Sequence, residues 1–207
     1  MMAKTQNAAT TILEHAVALF ADKGFSAVSL SEIARHSGTS KANIIHHFKS
    51  KDALYLAVLQ HACQQSAQAL DEIEQRNDLN PRHRLALLFQ RHLELLLDHP
   101  QATRLLQREL LECGAGCGRT MAEAVVARHF SRLVELLREG QKQGLVRDDI
   151  DPALLAFLMV SANLYFFEAR EVLRYLPEVD FAEEPKRYSK AVFDLLERGF
   201  APPEEQT

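Results

Sequence analysis

The segment SLSEIARHSGTSKANIIHHFKSK, residues 29–51, decides the fold of the N-terminal part of the chain. Ser29 and Glu32 form the S-x-x-E pattern of a capping box, which predicts that a helix begins there. Gly38 predicts the end of that helix, and Ser40 is a suitable N-cap for another. Two short helices joined by a turn of three or four residues that contains glycine are typical of a helix-turn-helix.

The second of these helices, Lys41 to about Phe48, has an inward and an outward side. Ile44 and Phe48 lie four positions apart, so they share the face that packs on a small core. The outward positions offer a cation, an amide and imidazoles, a mixture that suits the major groove of DNA. Asparagine can bond adenine bidentately, and lysines such as Lys49 can neutralise phosphates. By composition alone, a solvated surface helix explains these residues equally well.

Composition and charge predict an all-α protein with two tasks. Of 207 residues, 47% are hydrophobic and 25% charged, which is typical of a globular protein. Glycine and proline are scarce, and no long stretch alternates apolar and polar residues. The net charge is −4, yet residues 1–60 carry six Lys/Arg against four Asp/Glu. A mildly basic N-terminal part on an acidic chain favours a polyanion as one partner.

Helical periodicity and breaking residues predict about nine helices. Beside the two described above, we expect helices over about 7–23, 50–76, 82–98, 101–112, 119–143, 152–175 and 186–198. We divide the chain into a helix-turn-helix DNA-binding domain, residues 1–52, and a larger helical domain, residues 53–207.

Several other classes of protein are disfavoured. No signal peptide is recognised, and the most apolar stretch, residues 153–167, is interrupted by Ser161 and Asn163 and is too short to span a bilayer, so we expect a cytoplasmic protein. Three cysteines fit a reducing compartment, and CGAGC at 113–117 is a weak candidate for zinc or thiol sensing. We expect no metal and no cofactor. Without a nucleophile motif or a carboxylate pair we expect no catalytic residues and no enzyme.

A resemblance to a known family extends this interpretation. The residues that carry it, at matching spacing, are Gly24-Phe25, Ser29, Ile33-Ala34, Gly38, Ser40-Lys41, His47-Phe48, Ser50-Lys51 and Leu54. In these residues the chain from about Thr11 to Leu59 resembles the N-terminal domain of TetR-family transcriptional regulators. The resemblance implies a homodimer on a pseudo-palindromic operator, released by a small-molecule effector.

The resemblance also implies roles for single residues. Lys41, Ala42 and Asn43 would face base edges. Ser29 and Ser31 would contact the DNA backbone, and His47 and Lys51 would hold phosphates. One departure matters, because the family usually has a tyrosine that bonds a phosphate where this chain has Ile45. Ile45 can instead pack on a thymine methyl, and His46 would take over part of the phosphate contact. The predicted DNA-binding residues are Ser29, Ser31, Ser40, Lys41, Ala42, Asn43, Ile45, His46, His47 and Lys51.

The larger domain carries weaker signals. The segment 152–175 is apolar on nearly every side, more than a single core face requires. The resemblance implies that it and the last helix form a symmetric four-helix dimer interface, although a central core helix explains the same pattern. The expected effector pocket lacks a motif. Arg108 with Glu112 is equally a surface ion pair, and every candidate is individually explained by packing or exposure. The predicted effector-binding residues are Phe89, His92, Arg108, Glu112, Phe130, Asn163 and Phe167.

The sequence therefore predicts a DNA-binding transcriptional regulator, a repressor that is released by a ligand. The competing hypotheses are a helical adaptor that uses the apolar segment 152–175 to dock another protein, and a small-molecule carrier or enzyme with a vestigial DNA-binding motif.

Overall fold

The structure, a computed structural model, describes residues 2–76, 78–112 and 114–202. Within these ranges it contains α-helices and no β-strand, which confirms the all-α prediction. Ten α-helices are present there, one more than the nine expected. They are α1 Met2–Ala27, α2 Leu30–His36, α3 Lys41–Phe48, α4 Lys51–Glu74, α5 Pro81–Asp98, α6 Pro100–Glu112, α7 Ala115–Met121, α8 Ala127–Lys142, α9 Pro152–Leu173 and α10 Pro185–Phe200.

The additional helix comes from the segment predicted as one helix over residues 119–143. There α7 and α8 are separated by a π-helical turn, Ala122–Val126. Such a turn inserts a residue into the helical repeat and shifts the faces on either side. The glycines of CGAGCG were expected to separate two helices, but α7 already begins at Ala115.

The chain forms two compact units. Unit 1 comprises Met1–Gln65 and His99–Val126, and unit 2 comprises Ser66–Asp98 and Ala127–Thr207. The units do not follow the predicted division at residue 52, because α6 and α7 return to unit 1 after α5 has joined unit 2. That return depends on tertiary packing, which the order of motifs along the chain does not show. The functional assignment of residues 1–52 and 53–207 stays a prediction.

The helices of the predicted helix-turn-helix share the core of unit 1 with α1, α4 and α6. Phe20 of α1, Ile33 of α2 and Ile44 of α3 are fully buried and belong to one cluster. Phe48 packs against that cluster from the end of α3. Burial of such side chains contributes roughly 1.5–3 kcal/mol each, so α3 is fixed to α1 and α2 by its inward face.

The turn between α2 and α3 follows the local signals in the sequence. Ser29 and Ser40 are the N-caps of the two helices, and each side-chain oxygen accepts a backbone N–H three residues on, at 3.1 Å. An N-cap of this kind stabilises a helix by about 1 kcal/mol. Gly38 has a φ of 64°, a left-handed conformation that glycine adopts without strain.

Gly24 interrupts α1 directly after the predicted helix 7–23, although one further turn continues to Ala27. Its φ of 78° and ψ of 168° leave the helical region. The guanidinium of Arg108 lies against it, and a Cβ atom placed on Gly24 would be 2.7 Å from Arg108 Nη2. Both the backbone conformation and this close approach require glycine.

Unit 2 is organised around α9, which packs on α5 and α8, while α10 packs on α5. Phe89, Leu137 and Phe166 are fully or almost fully buried there. Among the described residues, α9 is the one helix long and apolar enough to cross a membrane, with 28% of its most apolar window buried, so the expectation that this segment is too short does not hold for the helix as formed. Length and composition are weak evidence, because core helices of soluble proteins satisfy the same criterion.

Candidate nucleic-acid interface and effector site

The outward face of α3 is accessible. Within Lys41–Phe48, Ile44 is the buried residue, and Lys41, Ala42 and His46 are exposed. All ten predicted DNA-binding residues are exposed or partly exposed. The structure therefore leaves all ten accessible along α2, the turn, α3 and the start of α4, as contact with DNA requires.

Asn43 is held at the start of α3 by two residues of the turn. Its backbone N–H donates to Ser40 Oγ at 3.1 Å, and its side-chain Nδ2 donates to Thr39 Oγ1 at 2.8 Å. Thr39 was missed in the sequence, because it lies in the turn before α3 and outside the helical repeat that relates positions four apart. The amide of Asn43 is thus fixed by protein contacts.

The N-terminus of α2 is completed by a capping box and an ion pair. Lys23 Nζ lies 2.7 Å from Glu32 Oε1. Lys23 donates a hydrogen bond to the Glu32 carboxylate, and the backbone N–H of Ser29 adds a second. Both stabilise the charged form and hold the pKa of Glu32 below its ordinary value. The serines Ser29 and Ser31 stay exposed at this end of the helix, where free amides and the helix dipole favour an anion such as a phosphate.

Two lysines follow α3, and their side chains are held by unit 1. Lys51 Nζ lies 4.3 Å from the centroid of the Phe25 ring and 3.5 Å from the Ser26 carbonyl oxygen. Lys49 Nζ donates to the carbonyl oxygen of His46 at 3.0 Å. The Lys49 ammonium therefore lies at the C-terminal end of α3, and the Lys51 ammonium lies against the last turn of α1.

Ile45 occupies the position where the family usually has tyrosine, and its side chain is 37% exposed. An accessible branched alkyl group can contact a thymine methyl but cannot bond a phosphate. His46 and His47 follow it, with ring centroids 5.4 Å apart in an edge-on arrangement. His46 is thus the polar side chain adjacent in sequence to Ile45.

Three of the predicted effector-binding residues meet in unit 2. Asn163 is fully buried, and its Nδ2 donates to the Phe89 carbonyl oxygen at 2.9 Å and lies 3.2 Å from His92 Nδ1. A carbonyl oxygen can only accept, so the amide nitrogen must face Phe89. His92 Nδ1 therefore accepts, which requires a neutral ring, and burial lowers the pKa of His92 to about 4.

The side-chain oxygen of Asn163 is buried and has no hydrogen-bond partner in the described part of the chain. An unsatisfied buried acceptor costs about 1–3 kcal/mol, so each such group in a folded protein requires an explanation. A ligand that donates an N–H or O–H to this oxygen is one such explanation.

The remaining effector candidates do not join this group. Phe130 packs against the core of unit 2, and Phe167 is partly exposed on α9. Arg108 and Glu112 belong to unit 1, where they form an i, i+4 ion pair at 2.8 Å on α6. The alternative interpretation of this pair as a surface salt bridge describes its geometry, and its contact with Gly24 gives Arg108 a structural role.

Other candidate chemistries find no support among the described residues. These contain no group of three or more histidine, cysteine, aspartate or glutamate side chains that could hold a metal ion. Cys63 is a free thiol, and burial raises its pKa to about 11, which disfavours the reactive thiolate. Cys113 and the side chain of Cys117 lie outside the described residues, so the zinc and thiol-sensing hypotheses for CGAGC are not tested.

Comparison with known families agrees with this geometry. Residues 12–58 match the family model for bacterial regulatory proteins, tetR family, and residues 81–194 match the tetracyclin repressor-like C-terminal domain. The chain belongs to the TetR family. The first match contains α2, the turn and α3, and the second contains Phe89, His92 and Asn163. A TetR-family protein with this reading head is a DNA-binding transcriptional regulator.

Curated relatives carry the same assignment. The HTH-type transcriptional repressor NicS of Pseudomonas putida is 29% identical over 193 residues, covering 91% of this chain and 90% of NicS. The HTH-type transcriptional regulator RutR of Escherichia coli K12 is 36% identical over 159 residues, covering 75% of this chain and 71% of RutR.

Solved structures share the TetR fold over most of their length. FadR from Bacillus subtilis in complex with stearoyl-CoA has a TM-score of 0.75 at 19% identity, covering 92% of this chain and 98% of that chain. AibR in complex with isovaleryl coenzyme A and operator DNA has a TM-score of 0.65 at 21% identity, covering 91% and 97%. At these identities the likeness shows the fold.

Proposed function

We propose that the protein is a repressor that binds a pseudo-palindromic operator as a homodimer and is released by a small molecule bound in unit 2. The observation that carries the DNA-binding part is the division of α3, whose inward side is fixed by buried Ile44 while Lys41 and Ala42 are exposed and Asn43 is partly exposed. On this basis the ten predicted residues contact DNA, with bases read at the start of α3 and phosphates bound by Lys51 and the serines.

Charge reversal tests the DNA-binding proposal. Duplexes that bind the wild type are first selected from a randomised library, and affinities are then measured by fluorescence anisotropy. Lys41→Glu and Lys51→Glu should each abolish binding while the circular dichroism spectrum stays unchanged. Lys186→Glu, an exposed lysine on α10, is the matched control and should retain binding. Normal binding by the Lys41 and Lys51 variants would contradict the proposal.

The homodimer is supported by the exposed side of α9. Leu154, Phe157, Leu158, Tyr165 and Val172 are all exposed there, and Leu195 is exposed on α10. The five residues of α9 recur at helical spacing along one face of the helix. The opposite face of α9 is buried and carries Met159 and Phe166. Several large apolar side chains exposed on one side of a helix favour an association surface, and two symmetric copies of it would form a closed interface.

Light scattering tests the dimer. Phe157 is 58% exposed on α9, and Phe157→Asp should convert the dimer to a monomer because burying a carboxylate in an apolar seam is strongly unfavourable. Leu111 is 85% exposed on α6, and Leu111→Asp, the matched control, should leave the dimer intact. A wild-type monomer would favour the adaptor hypothesis instead.

The effector proposal rests on Asn163, His92 and Phe89. The buried side-chain amide of Asn163, held by its contacts with Phe89 and His92, would orient a ligand that donates a hydrogen bond to Asn163 Oδ1. Phe130 and Phe167 stay predicted contacts, whereas Arg108 and Glu112 are better explained by their ion pair. The acyl-CoA complexes of FadR and AibR make acyl-CoA thioesters sensible first probes. Operator release by such a probe, lost in Asn163→Leu, would support the site.

The proposed role needs no catalysis, cofactor or membrane. The relatives NicS and RutR are named as transcriptional regulators, which supports a non-enzymatic protein that acts in the bacterial cytoplasm where DNA is found. Whether the protein is an enzyme is tested by asking whether a bound effector is chemically converted. Mass spectrometry of the released ligand should return it chemically unchanged, and conversion would instead favour the enzyme hypothesis.

A further inference from the structure

Thr39 lies in the turn before α3 and is not part of the predicted DNA-binding set. Its backbone N–H donates to the Ala34 carbonyl oxygen at 2.9 Å, so the turn holds its main chain. Its Oγ1 accepts the Asn43 side-chain N–H at 2.8 Å. The backbone bond does not involve the hydroxyl, which therefore has a task separate from forming the turn.

The bond fixes the one torsion that decides what Asn43 presents to DNA. The terminal torsion of asparagine is broad, so an unrestrained amide samples many planes. An asparagine side chain offers two N–H donors and one acceptor oxygen. Thr39 engages one N–H, which leaves the other N–H for adenine N7 and Oδ1 for the adenine amino group. These are the two contacts of a bidentate adenine pair.

The surroundings of Asn43 suit a close approach to a base edge. Ala42 precedes it and is exposed, with a side chain too small to keep the helix away from the groove floor. Asn43 itself is partly buried against the turn, which limits its freedom before DNA arrives. Restraint before binding reduces the ordering entropy that base readout otherwise costs.

We propose that Thr39 is a specificity-determining residue, whose hydroxyl holds the Asn43 amide in the plane that reads an adenine in each operator half-site. The inference rests on the proposed function, in which Asn43 faces a base. Thr39 acts through Asn43 and is thus a positioning residue.

Thr39→Val is the decisive variant, because valine keeps the branched shape and loses the hydroxyl. The assay uses the full-length protein and a duplex selected from a randomised library by the wild type. Affinity is measured for this duplex and for copies in which each A·T pair of a half-site is replaced in turn by G·C. A bidentate contact discriminates roughly 5- to 100-fold between bases.

The wild type should therefore show strong discrimination at one position that Asn43→Ala abolishes. Thr39→Val should reduce the discrimination at that same position by about 5-fold or more, and Thr39→Ser should restore it. The salt dependence of binding should stay unchanged, since no charge is removed. In the double variant Thr39→Val/Asn43→Ala the discrimination should equal that of Asn43→Ala alone.

The outcomes distinguish a failure of the Thr39 inference from a failure of the proposed DNA-binding function. If Thr39→Val weakens all duplexes equally and keeps the base preference, the hydroxyl contacts the DNA backbone and the inference is overturned while the protein still binds DNA. An additive double variant overturns it as well. If Asn43→Ala and Lys41→Glu both bind like the wild type, the proposed reading head itself fails. Thermal unfolding of each variant by circular dichroism excludes a folding defect.

Discussion

Replacing Lys49 by glycine should stabilise the protein, because the backbone there is strained. Lys49 joins α3 to α4 with φ 68° and ψ −43°, and it is the only non-glycine residue with positive φ in the described part of the chain. Ser50 N–H donates to the Phe48 carbonyl oxygen at 2.8 Å across it, which closes a tight three-residue γ-turn. A side chain in this conformation costs about 1–3 kcal/mol.

Lys49→Ala is the control that isolates the backbone. Both variants lose the bond from Lys49 Nζ to His46 and the positive charge, but alanine keeps the Cβ atom. Glycine removes the strain and loses about 0.4–1 kcal/mol through the greater entropy of the unfolded chain. The net expectation is that Lys49→Gly is more stable than Lys49→Ala by about 1 kcal/mol, or about 2–4 °C in Tm.

The assay is urea unfolding followed by far-ultraviolet circular dichroism at equal protein concentration, since a dimer's stability depends on concentration. If Lys49→Ala proves as stable as Lys49→Gly or more so, the turn is not strained and the reasoning is refuted. Operator affinity adds a second comparison, because both variants lack the same ammonium group. We expect them to bind equally, and a much weaker glycine variant would show that the stiff turn orients α3.

Four further predictions follow from single contacts. Lys51→Ala should reduce the slope of log affinity against log salt concentration by about 0.9, and an unchanged slope in an anisotropy titration would argue against its phosphate contact. Gly24→Ala should destabilise unit 1 by about 1–3 kcal/mol in thermal unfolding, and adding Arg108→Ala should recover only the steric part, not the part due to positive φ. Asn163→Leu should keep operator affinity while removing the response to effector, and a retained response in the same titration would place the ligand elsewhere. Stability should fall as pH drops from about 6.5 towards 4, because the pKa of His92 is lowered to about 4 in the folded state and the unfolded chain takes up the proton first; His92→Gln should flatten this part of the pH profile of unfolding.

Local signals in the sequence predicted the helix-turn-helix because each of them acts within a few residues. The capping serines Ser29 and Ser40 bond amides three positions away, and Gly38 supplies the left-handed turn. Ile44 was assigned to the core from its spacing with Phe48, and it is fully buried. Such features depend on backbone geometry that a short segment determines by itself.

Long-range packing decides what these local signals leave open. Arg108 was grouped with Asn163 because both are polar residues on apolar helices, yet α6 belongs to unit 1 and Arg108 lies against Gly24. Periodicity does not show which helix a polar side chain meets across the fold. The π-helical turn Ala122–Val126 was missed for a similar reason, since its sequence contains ordinary helix-forming residues.

The helix α9 explains why hydrophobic pattern alone left core and interface undecided. It is apolar nearly all round, but the fold buries the side that carries Asn163 and leaves Phe157 and Tyr165 exposed. In the proposed mechanism one helix thus carries both the effector contact and the dimer seam. The dimer has one arrangement that fits DNA and another that does not. A ligand that binds Asn163 equally well in both arrangements would not change operator binding, however tightly it binds. Release therefore requires a ligand whose bond to Asn163 Oδ1 forms better in the arrangement that does not fit DNA, and its effect is limited by that difference in affinity.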